Sequence, residues 1–188
     1  MLELTLSLAL ILAPIPQAID IPDQAEVEAL EACLFGTEDV RQCGDFSEDM
    51  DSYGSCLEAV AWPTQTRDFA NELDAALEAH FNCQFELPCF KNEPPEGLTV
   101  RTLRYCAARQ VAVERSLADR WEVELRGRGN TELDQLLSEA KAMALARGVE
   151  LDQKEPTEDY PYMGRALSWS SWANALAILR ARVKAGNL

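Results

Sequence analysis

Six cysteines and one histidine are the residues in this 188-residue chain best equipped for chemistry. The cysteines are Cys33, Cys43, Cys56, Cys83, Cys89 and Cys106, with no CxxC pair and no CxxCH run. That spacing argues against zinc and haem, because a zinc site draws on soft ligands set in close pairs and His80 is the lone imidazole. His80 stands three residues before Cys83 in "ALEAHFNC", a spacing at which it could activate a thiol. A lone helical histidine is more often a polar surface or partly buried residue. The remaining chemistry is disulfide formation, which needs an oxidising compartment.

Other chemical motifs are incomplete. "DMDSYG", Asp49 to Gly54, opens like a calcium loop, with acids at the first and third positions and glycine at the sixth. Tyr53 then occupies the fifth position and Val60 the twelfth, where a bidentate glutamate should close the site. The stretch reads better as an acidic turn entering a helix. There is no GxSxG, no glycine-rich phosphate loop and no HExxH. Among so many carboxylates no pair stands out for glycoside hydrolysis. The expectation is a protein that is not an enzyme, holds no metal and no cofactor, and works by binding.

The elements that would position these residues are helical throughout. "PDQAEVEALEACLFG" has Asp23 and Glu26 in capping-box spacing, an apolar face of Val27, Leu30 and Leu34, and a stop at Gly36. Ser47 is a candidate N-cap for "SEDMDSYGSCLEAVAW", which Pro63 interrupts. "TRDFANELDAALEAHFNC" spaces Phe69, Leu73, Leu77 and Phe81 four apart, and "QFELPCFKNEPPEG" is a turn-rich connector.

From Thr99, a helix of about seven turns puts Leu103, Cys106, Gln110, Val113, Leu117, Trp121 and Leu125 on one face. "TELDQLLSEAKAMALARG" is expected to start on Thr131 as N-cap and close on Gly148 as C-cap. The last helix aligns Trp169, Trp172, Leu176, Leu179 and Val183. No segment alternates as a strand, so the expected fold class is all-α, a disulfide-stapled bundle of five or six helices.

The N-terminus points to export. "LTLSLALILA", Leu4 to Ala13, is an uncharged apolar run too short to span a bilayer, followed by "PIPQA" with a cleavage point after Ala18. Against this, the segment before the run has no Lys or Arg and carries Glu3, and an ordinary buried helix is the competing reading. Residues 1–18 are thus expected to be a signal peptide and 19–188 a single helical domain. Its disulfide-rich part would cover 19–117 and its long C-terminal helices 118–188. The expected location is periplasmic or secreted, with no membrane insertion once the segment is removed.

The formal charge is −15, which repels nucleic acid and anionic lipid and speeds encounter with cationic proteins. Two acidic clusters are candidate contact surfaces, although a charge run is more often simply solvated. The first holds Glu38, Asp39, Asp45, Glu48, Asp49 and Asp51 around Arg41, in the loop that Cys43 would pin. The second holds Glu150, Asp152, Glu155, Glu158 and Asp159. The first is preferred as the partner-binding surface, because a pinned loop loses less entropy on docking.

The order of "CLFGTEDVRQC" (Cys33 to Cys43), "CLEAVAW" (Cys56 to Trp62) leading to "ANELDAAL", then Cys83, then "CAARQVAVERSL" from Cys106, resembles the exported α-helical LprI family of lysozyme inhibitors. The resemblance spans about Cys33 to Leu117. It implies a periplasmic, non-enzymatic protein that binds a muramidase or another cell-wall enzyme, with Cys56 a staple and Trp62 a packing residue. Pro63 stands where the family's helix would continue. Alternatives are an accessory subunit of an envelope assembly that keeps the N-terminal apolar segment as an anchor, and an immunity protein against a secreted toxin. Many cysteine pairings are open. Chain distance favours Cys33 with Cys43 and Cys83 with Cys89, which leaves Cys56 to join Cys106.

Overall fold

The computed structural model describes residues 21–61, 82–91, 99–154 and 162–188. Expectations for the apolar N-terminal segment, Trp62, Pro63, His80 and the Phe69–Phe81 stripe fall outside those residues. The described chain is helical and without strands: α1 Gln24–Gly36, α2 Ser47–Ala61, a short α3 Pro88–Lys91, α4 Val100–Arg126, α5 Thr131–Lys154 and α6 Met163–Lys184. Two 3-10 turns, Val40–Gln42 and Gln84–Glu86, join the smaller helices. This is the disulfide-stapled all-α bundle that the periodicity predicts.

Helix α1 begins as expected. Asp23 Oδ1 accepts the Glu26 N–H at 2.9 Å and Glu26 Oε2 accepts the Asp23 N–H at 3.0 Å, satisfying two otherwise orphaned donors. Helix α2 starts differently. Ser47 is its first residue, and Asp45 Oδ1 accepts the Ser47 N–H at 3.0 Å, so the side chain at the helix entrance is Asp45. The α5 start shifts in the same way: Asn130 Oδ1 accepts the Leu133 N–H at 3.1 Å, and Thr131 is already helical.

Helices α4 and α6 form the centre, and α6 packs on α5, α4 and α2. On α4 the predicted stripe is buried except Leu103, which is 45% exposed. Leu103 lies in the first turns, near the start of the helix. Burial extends well beyond the stripe, to Thr102, Ala108, Val111, Ala112, Glu114, Arg115 and Ala118. Likewise α6 buries Trp172, Leu176 and Leu179, but also every other residue from Ala173 to Ile178. Alanines on several faces allow neighbours to approach from more than one side, which a single stripe does not convey.

Gly148 is not a helix terminus. It lies inside α5, which runs on to Lys154, and it continues the buried row of Leu133, Leu137, Ala140 and Ala144. A Cβ there would collide with the Ser168 side chain and come within 2.6 Å of the Gly164 carbonyl oxygen. The residue is glycine because α5 and α6 nearly touch at this point.

The disulfides join Cys33 to Cys43, Cys56 to Cys83 and Cys89 to Cys106, with Cα separations of 5.7, 5.7 and 5.5 Å. The first agrees with the expected pairing. Cys83–Cys89 and Cys56–Cys106 do not form. The 3-10 turn Gln84–Glu86 separates Cys83 from Cys89, the second residue of α3, and the two cysteines bridge to different helices, α2 and α4. Ile21, Phe90 and Tyr105 gather around the third bridge. The main core runs from Leu34 to Leu179, and the division at residue 117 falls within the continuous α4.

Candidate interaction surface

The loop between α1 and α2 is fastened at both the covalent and the hydrogen-bond level. The Cys33–Cys43 bridge closes it, and Val40 and Phe46 turn inward to the core. Arg115 of α4, only 3% exposed, reaches up from beneath. Its Nη1 donates to the Leu34 carbonyl, and its Nη2 donates to Thr37 O at 2.8 Å and Glu38 O at 3.0 Å. The guanidinium also lies over the Trp169 ring, 4.7 Å from its centroid. A positive group placed on carbonyls at the end of α1 complements the helix dipole there. Burial pulls the Arg115 pKa down, while Asp119 and Asp39 pull it up.

Within the loop, Thr37 Oγ1 accepts the Asp39 N–H at 3.2 Å. Asp39 accepts the backbone N–H of Arg41 and both arms of its guanidinium, at 2.8 and 3.0 Å. That side-chain pairing holds the Asp39 carboxyl below its ordinary value and raises Arg41. The Ser47 N–H likewise lowers Asp45.

Of the six predicted contact residues, Glu38, Asp45, Glu48 and Asp51 are exposed, and Asp39 is partly exposed and committed to Arg41. Asp49 must be removed from the set. It is 1% exposed and bonds Arg109 of α4 at 2.6 and 3.1 Å, while Arg109 also donates to the Tyr105 hydroxyl at 3.2 Å. Spaced four residues apart, Asp49, Tyr53, Leu57 and Ala61 share the buried face of α2, so the apparent calcium loop is helix.

The second acidic cluster is also partly structural. Asp152 accepts the Gly164 N–H and the Arg165 Nε–H, each at 2.6 Å, and so ties α5 to the start of α6. Glu155, Glu158 and Asp159 lie outside the described residues.

Between α2, α4 and α6 sits a buried polar group that the sequence does not announce. Glu114 accepts from the Tyr53 hydroxyl, from Ser170 Oγ at 2.5 Å and from Gln110 Nε2 at 3.2 Å. Burial, with Glu114 beside it, pushes the Tyr53 hydroxyl well above its usual pKa. Gln110 belongs to the apolar stripe of α4. Glu114, one turn further along that face, was the available signal.

Between the loop and the second half of α4 lies an open groove of about 770 Å³. Its apolar lining comes from Val40, Phe46 and Met50 on one side and Val123 on the other, with Asp45 and Asp119 among the charged residues. Partial burial raises the Asp119 carboxyl, against the pull of Arg115 and Lys141.

All six cysteines are bridged, so Cys83 offers no thiol for His80 to activate. No group of three or more His, Cys, Asp or Glu side chains among the described residues is placed to hold a metal ion. No described helix is long and apolar enough to cross a membrane. Three disulfides fit a chain that folds outside the reducing cytoplasm. Comparison with protein-family models, curated proteins and solved structures finds no match to the chain.

Proposed function

We propose that this is an exported, periplasmic or secreted, non-enzymatic binding protein whose disulfide-fastened acidic loop docks on a cationic cell-wall hydrolase of the lysozyme kind and inhibits it. The observation that carries this reading is the loop's double fastening, by the Cys33–Cys43 bridge and by Arg115, while Glu38 and Asp45 on the loop, and Glu48 and Asp51 on the adjoining start of α2, stay exposed. A loop ordered before it meets its partner loses little conformational entropy on docking. The charge of −15 adds electrostatic steering, which raises the association rate most at low ionic strength. The LprI resemblance supplies the partner class.

The test is titration of the purified, oxidised protein into a cationic lysozyme, following cell-wall clearing and binding heat together at two salt concentrations. The expected result is saturable one-to-one inhibition that weakens with salt, and weakens further in Glu48→Lys and Asp51→Lys. Absence of binding at low salt, where the attraction is greatest, rejects lysozyme inhibition and moves the reading to an accessory subunit of an envelope assembly.

A further inference from the structure

We infer that the groove between the disulfide loop and α4 is an anchor pocket for a lysine or arginine side chain projecting from the cationic partner. This rests on the reading of the protein as a binder of cationic proteins and names where the specific contact is made. The apolar lining suits the alkyl stem of such a side chain, and Asp45 and Asp119 suit its charged head. Val123 on the α4 wall is 74% exposed, the most exposed of the large apolar side chains described. A guest stem lying across it would remove that area from water.

Charge complementarity decides the sign of the guest. Three arginines also line the groove, but two are committed. Arg41 is forked onto Asp39, and Arg126 bonds Glu122 at 3.0 Å and lies 3.7 Å from Asp134. Glu122 is in turn held by Lys141 at 2.7 Å. The carboxylates left over are Asp45, whose hydrogen bond comes from the Ser47 backbone, and Asp119, which accepts no hydrogen bond among the described residues. The cations acting on Asp119 are all engaged elsewhere, Arg115 by the loop carbonyls, Lys141 by Glu122 and Arg41 by Asp39. Exposed Glu48 and Asp51 follow directly on the groove-lining Ser47 and Met50 in the first turns of α2. Among the described lining residues an anionic guest would find Arg120 alone unpaired; a cationic guest finds both carboxylates.

The deciding experiment compares variants by binding heat at low salt, each first checked for unchanged helicity and unfolding temperature. Asp119→Asn and Glu132→Gln each remove one negative charge, the first inside the groove and the second on an exposed position of α5 away from it. Asp45→Asn removes charge but keeps the oxygen that accepts the Ser47 N–H. Val123→Trp blocks the groove without changing charge, and Arg120→Gln removes the competing cation.

Asp119→Asn and Val123→Trp should each weaken lysozyme binding about tenfold, Asp45→Asn several-fold and Glu132→Gln less than twofold, while Arg120→Gln should tighten it. Lysozyme that binds the unaltered protein yet responds equally to Asp119→Asn and Glu132→Gln overturns the groove and leaves the inhibitor reading standing. If lysozyme does not bind at all, the inhibitor reading fails and the groove is judged with a tetralysine peptide. Peptide binding abolished by Asp119→Asn and by Val123→Trp upholds the pocket, and absent or variant-insensitive peptide binding overturns it.

Discussion

Arg115 shows how one side chain can set the shape of a surface it does not belong to. It is almost wholly buried, and its guanidinium holds carbonyls of residues 34, 37 and 38 from beneath the loop. Arg115→Met keeps much of the stem but leaves those carbonyls without a donor. We expect a loss of about 2–4 kcal/mol in denaturant unfolding, since charge-assisted bonds and buried unsatisfied acceptors carry the larger penalties. Amide exchange in the 37–43 loop should accelerate even with the Cys33–Cys43 bridge intact. Slow loop exchange retained in Arg115→Met would show that the bridge alone sets the loop. Nothing in the sequence singles out this arginine: on a helix it reads as solvated, and its carbonyl partners lie far away along the chain. Asp49 is the converse case, legible as a surface acid until the fold brings Arg109 against it.

At the scale of elements, the helices and their order follow from the spacing of apolar residues, while their ends and contact faces are set by neighbours. Gly148 illustrates this. A glycine late in a helical pattern, after a run of small residues, satisfies the rule for a C-cap, yet the helix continues past it for contact with α6. Gly148→Ala would place a methyl group against Ser168 and the Gly164 carbonyl, and should cost about 1–3 kcal/mol, as overpacking does. Gly36→Ala, at the end of α1 where nothing lies within 4 Å of the added carbon, is the matched control and should change stability by less than about 0.5 kcal/mol. Equal thermal shifts for the two variants would refute the close approach of α5 and α6. The shifts at Ser47 and Thr131 have a similar origin: an Asp two residues before Ser47 and an Asn one residue before Thr131 reach the helix entrance with their side chains first.

For the whole molecule, two of the bridges fasten the connector around α3 to the helices on either side of it. Cys89–Cys106 joins α3 to α4, and Cys56–Cys83 joins α2 to the connector before α3. A peptide map under non-reducing conditions should recover Cys33 with Cys43, Cys56 with Cys83 and Cys89 with Cys106. A Cys83–Cys89 peptide would contradict the arrangement. Its failure as a sequence inference is instructive, because short loops are statistically easy to close but a bridge forms only where two Cα atoms come within about 7 Å.

The sequence by itself determined the helical class, the cysteine chemistry and the acidic character, because each depends on residue type and local spacing. Capping chemistry at Asp23 and Glu26, the apolar rows of α4 and α6 and the even number of cysteines are all local signals of this kind. Tertiary structure alone decided which cysteines meet, which acids remain exposed, and that Glu114 and Arg115 face inward. Those outcomes depend on approaches between residues tens of positions apart, where packing density and the need to satisfy buried polar groups override what any single segment prefers.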